Sequence, residues 1–279
     1  MPDKIIDCGG RPLDLSHPRV MAILNVTPDS FSDGGAYVSP AAAVERALAM
    51  VDEGAAIVDI GGESTRPGAQ AVGVQQEIDR VVPVIEALAR AAPVPISIDT
   101  SKPEVMRAAV AAGAGFINDV RALREPGALE AAAGLGVPVC LMHMQGEPRT
   151  MQHSPEYRDC VAEVRAFLAE RLSACHAAGI EPARLLVDPG FGFGKALRHN
   201  LELLRHLADL KDLGAPLLVG MSRKSMIGQM LDRPVGERLY GSITLAALAV
   251  WQGAALVRAH DVRATLDAMR VCHAVMQAD

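Results

Sequence analysis

The chain has 279 residues, half of them apolar, with a net charge of −6 and no lysine-rich run. That length can bury a core of one large domain or two smaller ones. The charge argues against nucleic acid or an anionic membrane surface as the main partner. There is no apolar stretch of the roughly 18 residues that a membrane helix needs, and the opening MPDKIIDCGG has no signal-peptide core. A soluble, cytoplasmic protein is expected. The five cysteines (Cys8, Cys140, Cys160, Cys175 and Cys272) are odd in number and scattered, with no C-x-x-C. They read as structural thiols in a reducing compartment rather than as disulfides or a metal site.

In chain order, residues 4 to 15 (KIIDCGGRPLDL) predict a short hairpin, with Gly9-Gly10 supplying the positive φ angles of its turn. Eight short apolar runs follow: Val20–Leu24, Ile57–Ile60, Pro95–Ile98, Gly115–Ile117, Val137–Met142, Leu185–Val187, Leu217–Val219 and Ala255–Val257. Each has the length and composition of a buried parallel strand. Helices are predicted between and after them, over Pro40–Val51, Gln75–Ala91, Pro103–Ala112, Pro126–Ala133, Pro155–Ala178, Asn200–Leu213, Gly236–Trp251 and Val262–Met276. Several begin at proline, which suits a first helical turn, and several end at glycine, as at Gly54, Gly113, Gly134 and Gly179. Eight βα units predict an α/β fold of the TIM-barrel (β/α)8 kind, a single domain over residues 1–279, with the hairpin able to plug the amino-terminal mouth. A doubly wound open sheet is the alternative, but nothing marks a linker, second domain or low-complexity tract.

Polar residues at the carboxyl ends of barrel strands converge on one mouth. Here the ends carry Asn25, Asp59, Asp99, Asn118-Asp119, His143, Asp188, Ser222-Arg223-Lys224, and Arg258 with His260-Asp261. A single such residue is most simply a helix cap or a solvated strand end. Eight ends of eight imply a site for a ligand with a donor-rich part and an anionic part. The segment Gly190–Lys195 (GFGFGK) ends in G-K, but Ala196 follows, so the phosphate-binding G-x-x-x-x-G-K-[ST] pattern is missing. Gly113-Ala114-Gly115 precedes a strand and fails the dinucleotide fingerprint. The dispersed histidines, among them His143, His153 and His260, do not have zinc-site spacing.

LNVTPDSFSDGG (24–35), DIGGESTRPG (59–68), SIDT (97–100), INDV (117–120), DPGFGFGK (188–195), GMSRKSMIG (220–228) and VRAHDV (257–262) together resemble bacterial dihydropteroate synthase, in order and over essentially the whole chain. The resemblance implies a homodimeric TIM-barrel transferase. Such an enzyme joins 7,8-dihydropterin-6-ylmethyl diphosphate to 4-aminobenzoate, releasing pyrophosphate and making dihydropteroate for folate synthesis. It also implies roles for residues. Asp99, Asn118 and Asp188 hold the pterin, whose N–H donors suit carboxylates and an amide, and Lys224 donates to its acceptors. Arg258, Ala259 and His260 contact substrate, with Arg258 and His260 projecting to one side to meet the diphosphate. Asn25 offers an oxygen to Mg²⁺ and Thr65 a hydroxyl to the phosphates. Phe31, Pro67 and Phe193 wall the aminobenzoate ring. Ser225, near a helix start, meets its carboxylate, with Ser222 the lesser candidate as a helix cap. Asp33 and Arg66 pair when the two long loops close and exclude water. Phe31 and Pro67 stand as in drug-sensitive members, implying sulfonamide sensitivity.

Two other readings compete. A pterin-binding methyltransferase domain shares the barrel but has no use for a diphosphate pocket, which the SFSDGG and STRPG loops and the Arg258/His260 pair supply. A binding-only paralogue would keep pterin affinity without turnover.

Overall fold

A computed structural model describes residues 5–27, 39–64, 71–147, 150–152 and 154–278. An antiparallel hairpin, β1 (Ile5–Asp7) and β2 (Pro12–Asp14), precedes eight parallel strands: β3 (Arg19–Asn25), β4 (Ile57–Gly61), β5 (Ile96–Asp99), β6 (Phe116–Asp119), β7 (Val139–Met142), β8 (Leu185–Asp188), β9 (Leu218–Val219) and β10 (Leu256–Ala259). Each pairs with its neighbour in sequence, and β10 returns to pair with β3. A Val187–Leu217 bridge joins β8 to the start of β9, so the sheet closes into the expected (β/α)8 barrel. All eight predicted runs are strands, with ends shifted by one or two residues.

The helices are α1 (Pro40–Asp52), α2 (Val74–Ala91), α3 (Pro103–Ala112), α4 (Ala128–Leu135), α5 (Cys160–Ala177), α6 (Leu197–Arg205), α7 (Ser225–Leu231), α8 (Leu239–Trp251) and α9 (Val262–Met276). Proline opens α1 and α3 as expected, but not α4 or α5. Gly127 takes a left-handed turn between Pro126 and α4. Asp159 caps α5, its carboxylate accepting from the Ala162 N–H at 2.9 Å, so that helix starts five residues after Pro155. Helix α4 runs through Gly134 and stops at Gly136, whose φ of 73° breaks the helical path. The predicted Asn200–Leu213 segment begins earlier, at Leu197, and tightens to a 3₁₀ helix over Leu207–Leu213. The short α7 was foreseen only in Ser225's place near a helix start.

Alternation along the strands sorts side chains into two shells. Val20, Ala22, Leu24, Val58, Ile60, Ile117, Val187 and Val257 face the helices and pack in the large outer core. Met21, Ile57, Phe116, Cys140, Leu186, Leu218 and Leu256 face inward and form an apolar floor with Ile6, Cys8, Leu13 and Leu15 of the hairpin. The hairpin therefore plugs the barrel as predicted. The Cys8 thiol sits in this seal, and burial pushes it up to about 12, so it stays protonated and unreactive.

Gly115 shows how tight the seal is. A β-carbon there would lie 2.1 Å from the Cys8 carbonyl oxygen, a backbone atom with no room to yield. Gly115→Ala is expected to lose about 2–3 kcal/mol of unfolding free energy in urea. Unaltered stability would mean that the hairpin is free to lift away.

Candidate active site at the carboxyl mouth of the barrel

Two residues above four of the floor residues, the same inward face turns polar. Ile57 is followed by Asp59, Phe116 by Asn118, Leu186 by Asp188 and Leu256 by Arg258, while Ser97 and Asp99 face inward from β5. Asp59 is fully buried, and Asp99, Asn118 and Asp188 nearly so. Isolated carboxylates cannot remain ionised in such a place without partners. Arg258 supplies the main one. Its Nε donates to Asp59 Oδ2 at 2.5 Å and an Nη to Asp99 Oδ2 at 2.7 Å. The Ser97 hydroxyl donates to Asp59 Oδ1 at 2.6 Å, and the Asn118 amide to Asp59 Oδ2 at 3.0 Å.

One guanidinium serves two carboxylates, and the balance falls short. Burial raises Asp99 to about 7, against the pull of Arg258 and with a further push from Asp59. Burial alone would lower the Arg258 guanidinium, but Asp59 and Asp99 outweigh it and hold the group above its ordinary value. Burial also raises Asp188, which Lys224 offsets, and Asp188 accepts the Gly190 N–H at 2.7 Å. Lys224 is lowered to about 8 by burial, with Asp188 opposing. Its ammonium donates to the Phe191 carbonyl and stands 4.5 Å from the centre of the Phe193 ring. Proton positions in this ring are thus poised within reach of neutral pH.

The segment after β9 is held in a sparsely populated conformation. Arg223 has φ of 58° and is fixed by Asp261, which accepts from Nε at 3.0 Å and from an Nη at 2.5 Å. That strained turn sets the directions of Ser222 and Lys224. Lys224, not Ser222, is the residue preceding the first turn of α7, so Ser222 is no helix cap. Its hydroxyl lies 3.0 Å from His260 Nδ1 and accepts the His260 N–H at 3.2 Å. Ser225 is exposed at the first position of α7. Strand β10 stops at Ala259, placing His260 just beyond the strand rather than on it, and the Ala259 methyl points into the outer core. Any substrate contact of Ala259 is therefore a backbone contact.

Asn25 ends β3 beside the carboxylates: a β-carbon at Gly61 would be 3.7 Å from both Asn25 Oδ1 and Asp99 Oδ2. Asp119 and His143, also at strand ends, do not join this group. Asp119 faces outward and is consumed by Ser101 and the backbone N–H groups of Arg121 and Leu123. His143 packs edge-on to Phe167 and meets Lys195. Phe31, Asp33, Thr65, Arg66 and Pro67 lie outside the described residues. The described ends of the second loop are tied: Glu63 accepts from the Val72 N–H at 2.9 Å, and Lys102 donates to Glu63 at 2.6 Å and Glu77 at 2.5 Å.

A family model described as pterin binding enzyme matches residues 21–260, the span from β3 to the end of the Arg258–His260 segment. The dihydropteroate synthase of Escherichia coli K12 is 58% identical over 269 residues, covering 96% of this chain and 95% of the relative. The chain belongs to the dihydropteroate synthase family. A solved dihydropteroate synthase from Xanthomonas albilineans with 4-aminobenzoic acid is 55% identical, covering 99% of this chain and all of the other, with a TM-score of 0.94. One from Yersinia pestis in a sulfonamide drug complex is 54% identical, covering 98% of this chain and all of that one, with a TM-score of 0.95.

Within this dihydropteroate synthase fold the candidate residues divide by shell. Asp99, Asn118, Asp188, Lys224 and Arg258 meet around one polar layer, and Asn25, Phe193 and Ser222–His260 border it. Asp59 stood among the strand ends but not among the selected site residues, although it bonds Ser97, Asn118 and Arg258 at once. The signal was available in its position two residues after Ile57, on the same inward face as Arg258.

Proposed function

We propose that this chain condenses 7,8-dihydropterin-6-ylmethyl diphosphate with 4-aminobenzoate to give 7,8-dihydropteroate and pyrophosphate. The observation that carries this is the buried layer of Asp59, Asp99, Asn118 and Asp188 bridged by Arg258 and flanked by Lys224. It offers acceptors for a pterin's amidine-like edge and cations where a diphosphate leaves.

In this reading Asp99, Asn118 and Asp188 take the pterin's N–H groups, and Lys224 donates to a ring acceptor. The bond from the pterin methylene carbon to the diphosphate oxygen breaks first, and its electron pair leaves with pyrophosphate. Arg258 and His260 face that growing charge, with Ser222 setting the His260 ring, and Thr65 adds a hydroxyl. The carboxylates stabilise the dihydropterin cation left behind. The amine of aminobenzoate then forms the new C–N bond and gives up a proton. No enzyme nucleophile takes part. Phe31, Pro67 and Phe193 wall the aminobenzoate ring, and Ser225 meets its carboxylate. Asp33 and Arg66 close the first and second loops over the cation, keeping water from competing with the amine.

Asn25 is a fitting ligand for Mg²⁺: its amide oxygen is a hard donor at the mouth, and Mg²⁺ keeps much of its shell from water and phosphate. When bound, the ion supplies charge neutralisation to the diphosphate. Dimerisation is supported by apolar side chains exposed on α7 to α9, among them Leu231, Leu248, Trp251, Val271 and Val275. Five free cysteines suit the reducing cytoplasm, where we place the enzyme. Sulfonamides, as aminobenzoate mimics, are expected to inhibit; full turnover under millimolar sulfamethoxazole would refute that part.

The test is pyrophosphate release with Mg²⁺, with and without 4-aminobenzoate, for the native chain and Asp99→Ala. The expected result is dihydropteroate only when aminobenzoate is present, and a loss of about a thousandfold in the variant. Tight pterin binding with no release would replace the reading with a binding-only one.

A further inference from the structure

Lys195 closes the GFGFGK segment, is 2% exposed, and takes no part in the chemistry above. A lysine after glycines invites a phosphate-binding reading, but this ammonium is turned inward onto its own loop. It lies 2.9 Å from His143 Nδ1, 2.9 Å from the Gly190 carbonyl and 3.1 Å from the Phe193 carbonyl. As an ammonium it uses each of its three N–H donors there, although burial lowers Lys195 to about 7. Burial and the neighbouring Lys195 charge drive His143 down to about 2, so the ring is neutral and accepts at Nδ1.

The rest of the loop is tied as completely. The Phe191 carbonyl accepts from Lys224 and the Gly192 carbonyl from Gln152, while the Tyr157 hydroxyl donates to the Gly194 carbonyl at 2.8 Å. Five successive carbonyls are thus engaged from outside or across the loop. The Gly192 N–H goes to Asn200 Oδ1 at 2.7 Å. A β-carbon at Gly190, where φ is 70°, would lie 1.9 Å from the His143 carbonyl oxygen, so the loop is pressed directly on the exit of β7. Two things emerge toward the site from this frame: the Phe193 ring, packed with Val120, Met142, Met144 and Met151, and the Phe191 carbonyl that holds Lys224.

We propose that Lys195 is a positioning residue for the aminobenzoate subsite: by pinning the Gly190 and Phe193 carbonyls to His143, it fixes the Phe193 ring and the Lys224 ammonium against each other. This rests on the assignment of Phe193 to that subsite. The pterin anchors Asp99 and Asn118 are held by Arg258 and Asp59 on the far strands, whereas Asp188 and Lys224 touch this loop, so the pterin feels a smaller effect than aminobenzoate.

The test is a double-mutant cycle on the Michaelis constants of both substrates with Lys195→Met, Phe193→Ala and the pair. Lys195→Met is expected to raise KM for aminobenzoate about tenfold and KM for the pterin diphosphate by clearly less, about threefold at most. The double variant should be no worse than Phe193→Ala alone, because both changes remove the same ordered ring. Additive effects, or an unchanged aminobenzoate KM in Lys195→Met beside a raised one in Phe193→Ala, overturn the role of Lys195 and leave the subsite standing. No change in Phe193→Ala overturns the subsite assignment and the inference with it. No turnover by the native chain would refute the function itself, a separate result. If Lys195→Met does not fold, Tyr157→Phe removes one tie at the Gly194 carbonyl. It should raise aminobenzoate KM about two- to threefold, and an unchanged value overturns the proposal.

Discussion

An Arg258→Met protein is expected to lose pyrophosphate release by at least about a thousandfold and about 3–5 kcal/mol of stability near neutral pH. Arg258 is the counter-ion shared by Asp59 and Asp99, both buried, so its removal leaves two carboxylates facing one another in a poorly solvated barrel. The protein can relieve this only by protonating them. Asp99, held at about 7 even with the guanidinium present, then lies still further above its unfolded value of about 4, so the folded chain binds more protons than the unfolded one in that window. Stability therefore falls as pH rises through it, and the deficit should be large at about pH 7.5 and shrink towards pH 5. Urea titrations of both proteins at the two pH values test this. Equal stability at the higher pH would show that the guanidinium is not the main compensation. Arg258→Lys should recover part of the stability but little activity, because an ammonium cannot fork to two partners as Nε and Nη do.

Asp99→Asn is expected to move the two properties in opposite directions. On the proposed function, in which Asp99 is the pterin's charged acceptor, activity should drop about a thousandfold. Stability should rise. The folded carboxyl of Asp99 is held at about 7, so between its unfolded value and that point it keeps a proton the unfolded chain has released. Its contribution therefore worsens as pH increases through this window and reaches its full cost above it. Asparagine removes that cost while still accepting from Arg258. The variant should be about 1–2 kcal/mol more stable than the native chain near pH 8, after allowing for the weaker bond to Arg258, and no more stable near pH 4. A variant destabilised at both pH values would mean that the Arg258–Asp99 bond outweighs the burial of charge.

The strands and the mouth were legible in the sequence because both follow from short-range grammar. An apolar run such as Ile57–Ile60 has one stable home in a parallel barrel, and a polar residue at its end has one direction to face. The parity of that grammar also sorts Asn118 inward and Asp119 outward, one residue apart. Helix starts were harder to read, since Pro126 and Pro155 announce a turn but Gly127 and Asp159 decide where the helix begins. Asp59 and Lys195 escaped selection for a different reason. Their importance lies in partners about 40 to 200 residues away, Ser97, Asn118 and Arg258 for the one and His143 for the other, and spacing along the chain carries no trace of such meetings.

The return of β10 to β3 has a consequence for how the protein is made. The amino-terminal strands emerge first during synthesis. Asp59 and Asp99 are present in that early fragment; Arg258, on the strand that completes the ring, comes some 160 to 200 residues later. Until it arrives, the two acids repel and favour water between them, which discourages the unfinished barrel from collapsing upon itself. The strand that seals the barrel thus also delivers the charge that makes sealing favourable, and the assembly carries an electrostatic check that its final piece is in place.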